Sequence, residues 1–99
     1  EISPGARIVG QVSIGDNVSV GTNACILPKR SVGNNVIVGA GAVVTKDIKP
    51  FALVTGVPAI QTGWVSRSGV ILGNDLACPL TGEKYSLENG ELKLIDNEQ

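Results

Sequence analysis

An apolar column runs through the first half of the chain with a period of six residues. All of its members are β-branched: Ile2, Ile8, Ile14, Val20, Ile26, Val32, Val38 and Val44. A constant hexapeptide period is typical of a parallel β-helix, in which short strands stack in successive coils. Because one coil buries only a few such side chains, it needs neighbouring coils to be stable. The column therefore predicts stacked parallel strands from Ile2 to Val44.

Two neighbouring columns explain how the period works. The residue four positions after each column residue is small or aliphatic, with Arg30 as the exception, and strand alternation turns it inward together with the next column residue. The residue three positions after the column residue is usually Gly, Asn or Asp, which tolerate positive φ. Each hexad thus predicts a short strand followed by a sharp corner. Three hexads complete one triangular coil, so residues 18 apart stack on the same side.

The repeat ends after Val44. We expect residues 45–50 to be an insertion that precedes an extended segment at 54–59, and we place Ile48 in the inward small column. Pro50 and Pro58 are expected to end regular strand pairing. From Ile60 onward the hexads disappear. The predicted division is β-helix coils with a terminal loop at 1–59 and a C-terminal extension at 60–99.

The extension carries a hairpin signal. Alternating segments at 84–87 and 91–95 flank Glu88-Asn89-Gly90, and Asn-Gly between alternating segments is the strongest short-range indication of a β-hairpin. We also predict a short strand at 70–72 and fraying at 96–99. The predicted fold class is all-β, a parallel β-helix with a C-terminal β-hairpin extension.

Composition excludes several classes of function. With 99 residues and a net charge of -1, the chain is one small domain without the basic surface that nucleic acids require. No apolar run is long enough to insert into a membrane. There is no histidine for a histidine-bound metal, and Cys25 and Cys78 lack metal-binding spacing. We expect no metal, and two free thiols in a reducing cytoplasm.

Several segments resemble bacterial hexapeptide-repeat acyltransferases. The resemblance rests on hexads such as Val38-Gly39-Ala40-Gly41-Ala42-Val43-Val44, on Thr45-Lys46-Asp47-Ile48 and on Gly56-Val57-Pro58-Ala59. In the extension, Gln61-Thr62-Gly63-Trp64-Val65-Ser66 and the segment from Cys78 to Tyr85 look like the tail of UDP-amino-sugar N-acetyltransferases. Those enzymes acetylate a 3-amino group of a nucleotide-linked uronic acid. The resemblance implies a left-handed β-helix and a homotrimer, with acetyl-CoA as co-substrate in the groove between neighbouring β-helices.

The same resemblance suggests which residues contact acetyl-CoA. Thr22 and Ala40 share a column one coil apart and are candidates along the pantetheine arm, where the missing side chain of Gly39 allows close approach. Lys46 is a candidate for a CoA phosphate, as a point charge. Gly56 to Pro58 would line the adenosine end. The alternative is that the small residues only satisfy coil corners and that Lys46 is a solvated surface lysine. No catalytic residue is assigned.

Three departures from the family pattern leave questions open. Many relatives carry a basic residue after Val-Pro-Ala, where this chain has Ile60. Arg30 stands in the inward column, so either its corner is distorted to release it or it pairs at a subunit interface, because an unpaired buried guanidinium is costly. With no histidine as base, the base lies outside this sequence, the acceptor amine arrives neutral, or the chain is catalytically incomplete.

The leading functional prediction is an acetyl-CoA-dependent N-acetyltransferase acting on a nucleotide sugar in surface polysaccharide (lipopolysaccharide or capsule) biosynthesis. The alternatives are a sugar O-acetyltransferase of the sialic-acid type and a non-catalytic β-helical trimerisation module. Because the hexads are in phase from Ile2 without a cap, we expect the C-terminal part of a longer β-helix, or else a partner that covers this end. Trp64 either contacts a nucleotide base or packs the extension onto the β-helix.

Overall fold

The computed structural model describes residues 2–8 and 10–95, and the expected fraying of 96–99 lies outside them. These residues form strands, turns and loops without any helix. Seven two-residue strands come first, followed by four longer ones. The strands are β1 (Arg7–Ile8), β2 (Ser13–Ile14), β3 (Ser19–Val20), β4 (Cys25–Ile26), β5 (Ser31–Val32), β6 (Ile37–Val38), β7 (Val43–Val44), β8 (Ala52–Thr55), β9 (Ile60–Trp64), β10 (Tyr85–Glu88) and β11 (Glu91–Leu94).

Three parallel sheets form the sides of the triangular coil, and their register is the predicted one. Sheet A has the order β3-β6-β8-β9, sheet B the order β1-β4-β7, and sheet C contains β2 and β5. Column residues pair 18 positions apart: Val20 with Val38 in sheet A, Ile26 with Val44 in sheet B, and Ile14 with Val32 in sheet C. The predicted parallel β-helix is confirmed.

The apolar column forms the core of the β-helix, except at the first coil. From Val20 to Val44 the column side chains are buried, and the inward small residues Ala24, Val36 and Ala42 pack between them. Ile2 is 56% exposed and Ile14 36% exposed, since no described coil lies below them. Burial therefore increases along the stack as each coil gains neighbours on both sides.

The corners adopt the expected backbone conformation with one shift. The asparagines Asn17, Asn23 and Asn35 have φ values of 59°, 61° and 60°. Lys29 has φ 62° at the equivalent position, although lysine does not favour this region. At the Gln11 corner the positive φ falls instead on the preceding residue, Gly10, at 70°.

The expected insertion at 45–50 is wrong, because the last coil is shorter than the others. Ile48 pairs with Val32, only 16 residues earlier, and Val54 pairs with Val38, also 16 residues earlier. The turn after β7 therefore lacks two residues. As a result Ile48 lies in the β-branched column rather than in the small column, and Ala52 is the next fully buried small residue.

The extension continues sheet A and then forms its own small core. Strand β9 runs antiparallel to β8, so the division between residues 59 and 60 stays a prediction. The predicted hairpin is confirmed as β10 and β11, with positive φ at Asn89 and Gly90. Of the predicted strand at 70–72, only Ile71 forms a β-bridge, with Val65.

This second core is more aromatic than the first. It is built from Leu72, Cys78, Tyr85 and Leu92, and Trp64 packs against it, which favours the packing role over a nucleotide contact. Phe51, at the last corner of the β-helix, meets Tyr85 with ring centroids 5.7 Å apart. The hairpin is also fastened to the β-helix by Lys49, whose Nζ donates to the Gly90 carbonyl at 3.0 Å.

Candidate functional site

Three of the predicted contact residues stack at the corner between sheets A and B. Thr22, Ala40 and Gly56 each come two residues after a sheet A column residue, so the register of that sheet places them above one another. The Gly41 amide donates to the Thr22 carbonyl at 2.8 Å, and the Val43 amide donates to the Gly56 carbonyl at 3.0 Å. All three residues are exposed. We call this group the corner column.

Small residues are required along the corner column because successive coils approach closely there. A Cβ atom added to Gly21 would lie 2.6 Å from the Ala40 nitrogen, and one added to Gly39 would lie 2.9 Å from Thr55 Cγ2. The Ala40 amide donates to no atom of the described residues. An exposed, unoccupied N–H beside two glycines is suited to donate to a carbonyl group of an elongated ligand.

A cavity of about 310 Å³ at the end of the β-helix brings together two further predicted residues, Lys46 and Pro58. Its other lining residues include Val44 and Ile60. The Ala59 amide donates to the Val43 carbonyl at 2.8 Å, which ties the segment containing Pro58 to the last full coil. Pro58 follows a cis peptide bond and lies two residues from Gly56, so the corner column leads towards the cavity.

Lys46 does not lie on the corner column. It belongs to the turn after β7, between sheets B and C, whereas Thr22 and Ala40 lie between sheets A and B. The cavity therefore carries the positive charge and the corner column the exposed backbone donors. Ile60 lines the cavity where many relatives would place a basic residue, so its cations are Lys46 and Lys49.

Arg30 fits neither of the two expected arrangements. Its corner is not distorted, because Lys29 keeps a φ of 62°, and the guanidinium donates to backbone carbonyls within the same chain. Nε donates to Pro28 O at 3.3 Å and a terminal nitrogen donates to Thr45 O at 3.4 Å. The contact with Thr45 places the guanidinium beside the turn that lacks two residues, and the missing chain leaves room for it.

The extension contains a polar network around the loop at 66–69. Arg67 Nε donates to Glu83 Oε2 at 3.0 Å, and the Tyr85 hydroxyl accepts the Arg67 amide at 3.0 Å. The hydrogen bonds from the guanidinium lower the pKa of Glu83, and the same pairing raises the pKa of Arg67. Burial raises the pKa of Tyr85, so its hydroxyl stays protonated.

Cys78 and Ser66 are both buried in the extension, with Cys78 Sγ 3.4 Å from Ser66 Oγ. The Ser66 oxygen accepts amides from Ser68 and Val70, so its own proton is free to donate to the sulfur. Hydrogen bonds with Ser66 and then Thr81 lower the pKa of the Cys78 thiol to about 7, although apolar burial opposes the shift. With only 1% of its surface exposed, Cys78 is a packing residue rather than an accessible nucleophile.

Sequence reasoning missed a second cleft, of about 300 Å³, between the β-helix and the extension. Its residues come from three separate segments, around Asn17, around Asn35 and at 66–69. Asn and Ser at corners and turns have ordinary local roles, so only the folded chain shows that they face one another. The asparagine period of 18 was the sole signal for two of the three segments.

The described residues, 2–8 and 10–95, contain no group of three or more Cys, Asp or Glu side chains that could hold a metal ion. Within the same ranges no helix is long and apolar enough to cross a membrane.

Comparison with known proteins supports the reading of the β-helix. Residues 11–46 match the family described as "Bacterial transferase hexapeptide (six repeats)". The 2,3,4,5-tetrahydropyridine-2,6-dicarboxylate N-acetyltransferase of Thermotoga petrophila is 65% identical over 48 residues, which are 48% of this chain and 21% of that protein. The chain thus spans about a fifth of the length of this curated relative.

Two solved structures share the fold. The acetyltransferase domain of PglB from Neisseria gonorrhoeae has a TM-score of 0.60 at 43% identity, over 61% of this chain and 29% of that one, and is also solved with acetyl coenzyme A. PerB from Caulobacter crescentus, solved with CoA and GDP-perosamine, has a TM-score of 0.62 at 37% identity, over 63% of this chain and 30% of that one. These neighbours are left-handed β-helices, as the resemblance implied. The repeats, the fold and the relatives show that the β-helical part of this chain belongs to the bacterial hexapeptide transferase family.

Proposed function

We propose that this chain is the C-terminal part of an acetyl-CoA-dependent N-acetyltransferase that acts on a nucleotide-activated amino sugar. The observation that carries the proposal is the corner column of Thr22, Ala40 and Gly56, which is exposed, closely stacked and continuous with the cavity at Lys46 and Pro58. PerB, which shares the fold, is solved with both CoA and a nucleotide-linked amino sugar.

The reaction requires little covalent chemistry from the protein. A neutral amine attacks the thioester carbonyl, a C–N bond forms, the C–S bond breaks, the amine loses a proton and the CoA sulfur leaves. The contribution of the described residues is positioning, since holding the reactants in register lowers the barrier. The Ala40 amide donates to a carbonyl of the bound acyl carrier, and the base that accepts the amine proton is supplied by residues outside the corner column.

The cavity at the end of the β-helix receives the nucleotide end of CoA. Lys46 neutralises a phosphate as a point charge, while Gly56 and Pro58 present a low surface to the adenosine. The backbone approaches the ligand closely at Gly39 because no side chain intervenes.

The corner column is open on its outer side, and a second copy of the β-helix would supply the opposite wall. We therefore propose a homotrimer in which each groove lies between neighbouring chains. By the resemblance of its tail, the enzyme works in the cytoplasm on a precursor of surface polysaccharide.

The first test is acetyl-CoA binding by calorimetry to the parent chain and to Ala40→Leu. Ala40 is exposed, so leucine fills the corner column without entering the core, and we expect binding to weaken by at least about tenfold, which corresponds to 1.4 kcal/mol. Gln11→Leu is the control, because it adds a similar apolar side chain at a different exposed corner. Equal affinities for the parent and Ala40→Leu would overturn the assignment of the corner column.

A second candidate acceptor is suggested by the Thermotoga petrophila relative, which acetylates a small cyclic dicarboxylate by its name. Release of free CoA, followed with a thiol reagent, distinguishes the candidates when the acceptor is varied. We expect turnover with a nucleotide-linked amino sugar but not with tetrahydropyridine dicarboxylate or with a sugar that carries only hydroxyl groups. Turnover with the hydroxyl sugar would favour the O-acetyltransferase, and binding without any turnover would favour an assembly module or an incomplete chain.

A further inference from the structure

The cleft between the β-helix and the extension has polar walls and an apolar floor. One wall is the corner between sheets C and A, where Asn17 Nδ2 donates to Asn35 Oδ1 at 3.3 Å. This leaves Asn17 Oδ1 and Asn35 Nδ2 without a hydrogen-bond partner among the described residues. The floor is formed by Val18 and Ile37. The opposite wall is the loop at 66–69.

That loop is held in one conformation by hydrogen bonds from below. The hydroxyl of Ser66, which is 1% exposed, accepts the amides of Ser68 at 3.2 Å and Val70 at 3.3 Å. The Tyr85 hydroxyl accepts the Arg67 amide from the core of the extension. A surface loop supported by buried polar groups presents its own side chains at fixed positions, which is what a binding wall needs.

The charge of the cleft is balanced. Arg67 is the only charged residue among those that line it, and its guanidinium is already paired with Glu83. The remaining polar groups are the amides of Asn17 and Asn35 and the hydroxyls of Ser19, Ser66 and Ser68. An anion would have to compete with Glu83 for Arg67, so the cleft favours an uncharged ligand.

We infer that this cleft binds a saccharide through its hydroxyl groups. The amide and hydroxyl groups both donate and accept, as a ring of sugar hydroxyls requires, and Val18 and Ile37 lie where the C–H face of the ring would pack. Its volume of about 300 Å³ is at the lower end for small-molecule sites. The site is separate from the corner column, so the inference goes beyond the proposed function and its test needs no acetyl-CoA.

The test is an NMR titration of the ¹⁵N-labelled chain with methyl α-D-glucopyranoside and with N-acetylglucosamine. We expect saturable shifts at the amides of 17–19, 35–37 and 67–69. Sodium acetate and phosphate are the anion probes, and they should leave these amides unmoved. Sugars that move none of these amides at high millimolar concentration would overturn the inference, and so would anions that move them more than sugars do.

Two variants localise the effect. Asn35→Gly removes the amide but tolerates the φ of 60°, and Asn23→Gly is its matched control, at φ 61° on another corner. Loss of the Asn35 hydrogen bonds should weaken sugar binding by about tenfold, and the control should bind as the parent does. Ser68→Ala, at an exposed hydroxyl, should weaken binding without affecting folding. Equal affinities for Asn35→Gly and Asn23→Gly, or for Ser68→Ala and the parent, would contradict the assignment.

Discussion

The two cores of this chain are built on different principles. In the β-helix, Val, Ile and Ala repeat in columns, and each coil is stabilised by the coils above and below it. In the extension, Tyr85, Cys78 and Leu92 form a single aromatic and aliphatic cluster, joined to the loop at 66–69 by hydrogen bonds from side chains. The first core depends on burial repeated many times, and the second on a few specific contacts.

This difference has a consequence for function. The β-helix presents regular corners, so any ligand it binds lies along stacked backbone groups such as those at Ala40. The extension uses its polar contacts to hold one irregular loop against the side of the β-helix. Substitutions should therefore have large, graded effects on stability in the β-helix and smaller, local effects in the extension.

The largest effect is expected at Ile26, which is fully buried in the middle of its column. Ile26→Ala should destabilise the chain by about 2–5 kcal/mol, because it removes buried methyl groups and leaves a cavity. Ile14→Ala makes the same change at a column residue that is 36% exposed, and it should cost much less. Urea unfolding measures both. Equal losses would show that stacking does not govern the first core.

The next largest effect is expected at Gly21. Gly21→Ala places a Cβ 2.6 Å from the Ala40 nitrogen, so two coils must move apart, at a cost of about 1–3 kcal/mol. Gly63→Ala is the control in β9, where the added Cβ meets only Leu53 Cδ2 at 3.6 Å and the free energy of unfolding should hardly change. Thermal unfolding compares the two, and a tolerated Gly21→Ala would contradict the close stacking at the corner column.

A smaller effect is expected in the extension for Tyr85→Phe. The ring still packs against Phe51, but the Arg67 amide loses its acceptor, at a cost of about 1 kcal/mol. Hydrogen exchange at the Arg67 amide should accelerate while exchange at Ile26 is unchanged. Faster exchange throughout the β-helix would mean that the two cores unfold as one unit.

The smallest effect is a pH dependence confined to the extension. The pKa of Glu83 is lowered in the folded chain, mainly by the hydrogen bonds from Arg67, so this stabilisation is present at neutral pH. It is lost as the pH falls through the folded-state pKa, below about pH 4 where free carboxyl groups titrate. Trp64 fluorescence should report loosening there in the parent chain. In Glu83→Gln that pH-dependent step should be absent, and its persistence would assign the step to another group.

The repetitive part of the fold is predictable because every hexad carries the same information. The register, the buried column and the positive φ of Asn17, Asn23 and Asn35 all follow from the period. The two-residue shortening after β7 does not, because Ile48 is apolar and fits either inward column. Only pairing with Val32 decides between them.

The candidate site is predictable only where it follows the repeat. Thr22 and Ala40 lie 18 residues apart, so the period alone places them together, and Gly56 joins them once the shortened coil is known. The cleft at 66–69 could not be foreseen, since it depends on how the extension folds back onto the β-helix. The same holds for Arg30, whose partners are carbonyl groups that carry no sequence signal.

The most direct test of the corner column is thermal unfolding of the chain with increasing acetyl-CoA. A ligand that binds only the folded state raises its stability by mass action, by about 2.7 kcal/mol at one hundred times the dissociation constant. We predict a midpoint that rises with acetyl-CoA in the parent chain and stays constant in Ala40→Leu. A folded parent chain whose midpoint is unchanged at millimolar acetyl-CoA would contradict the account.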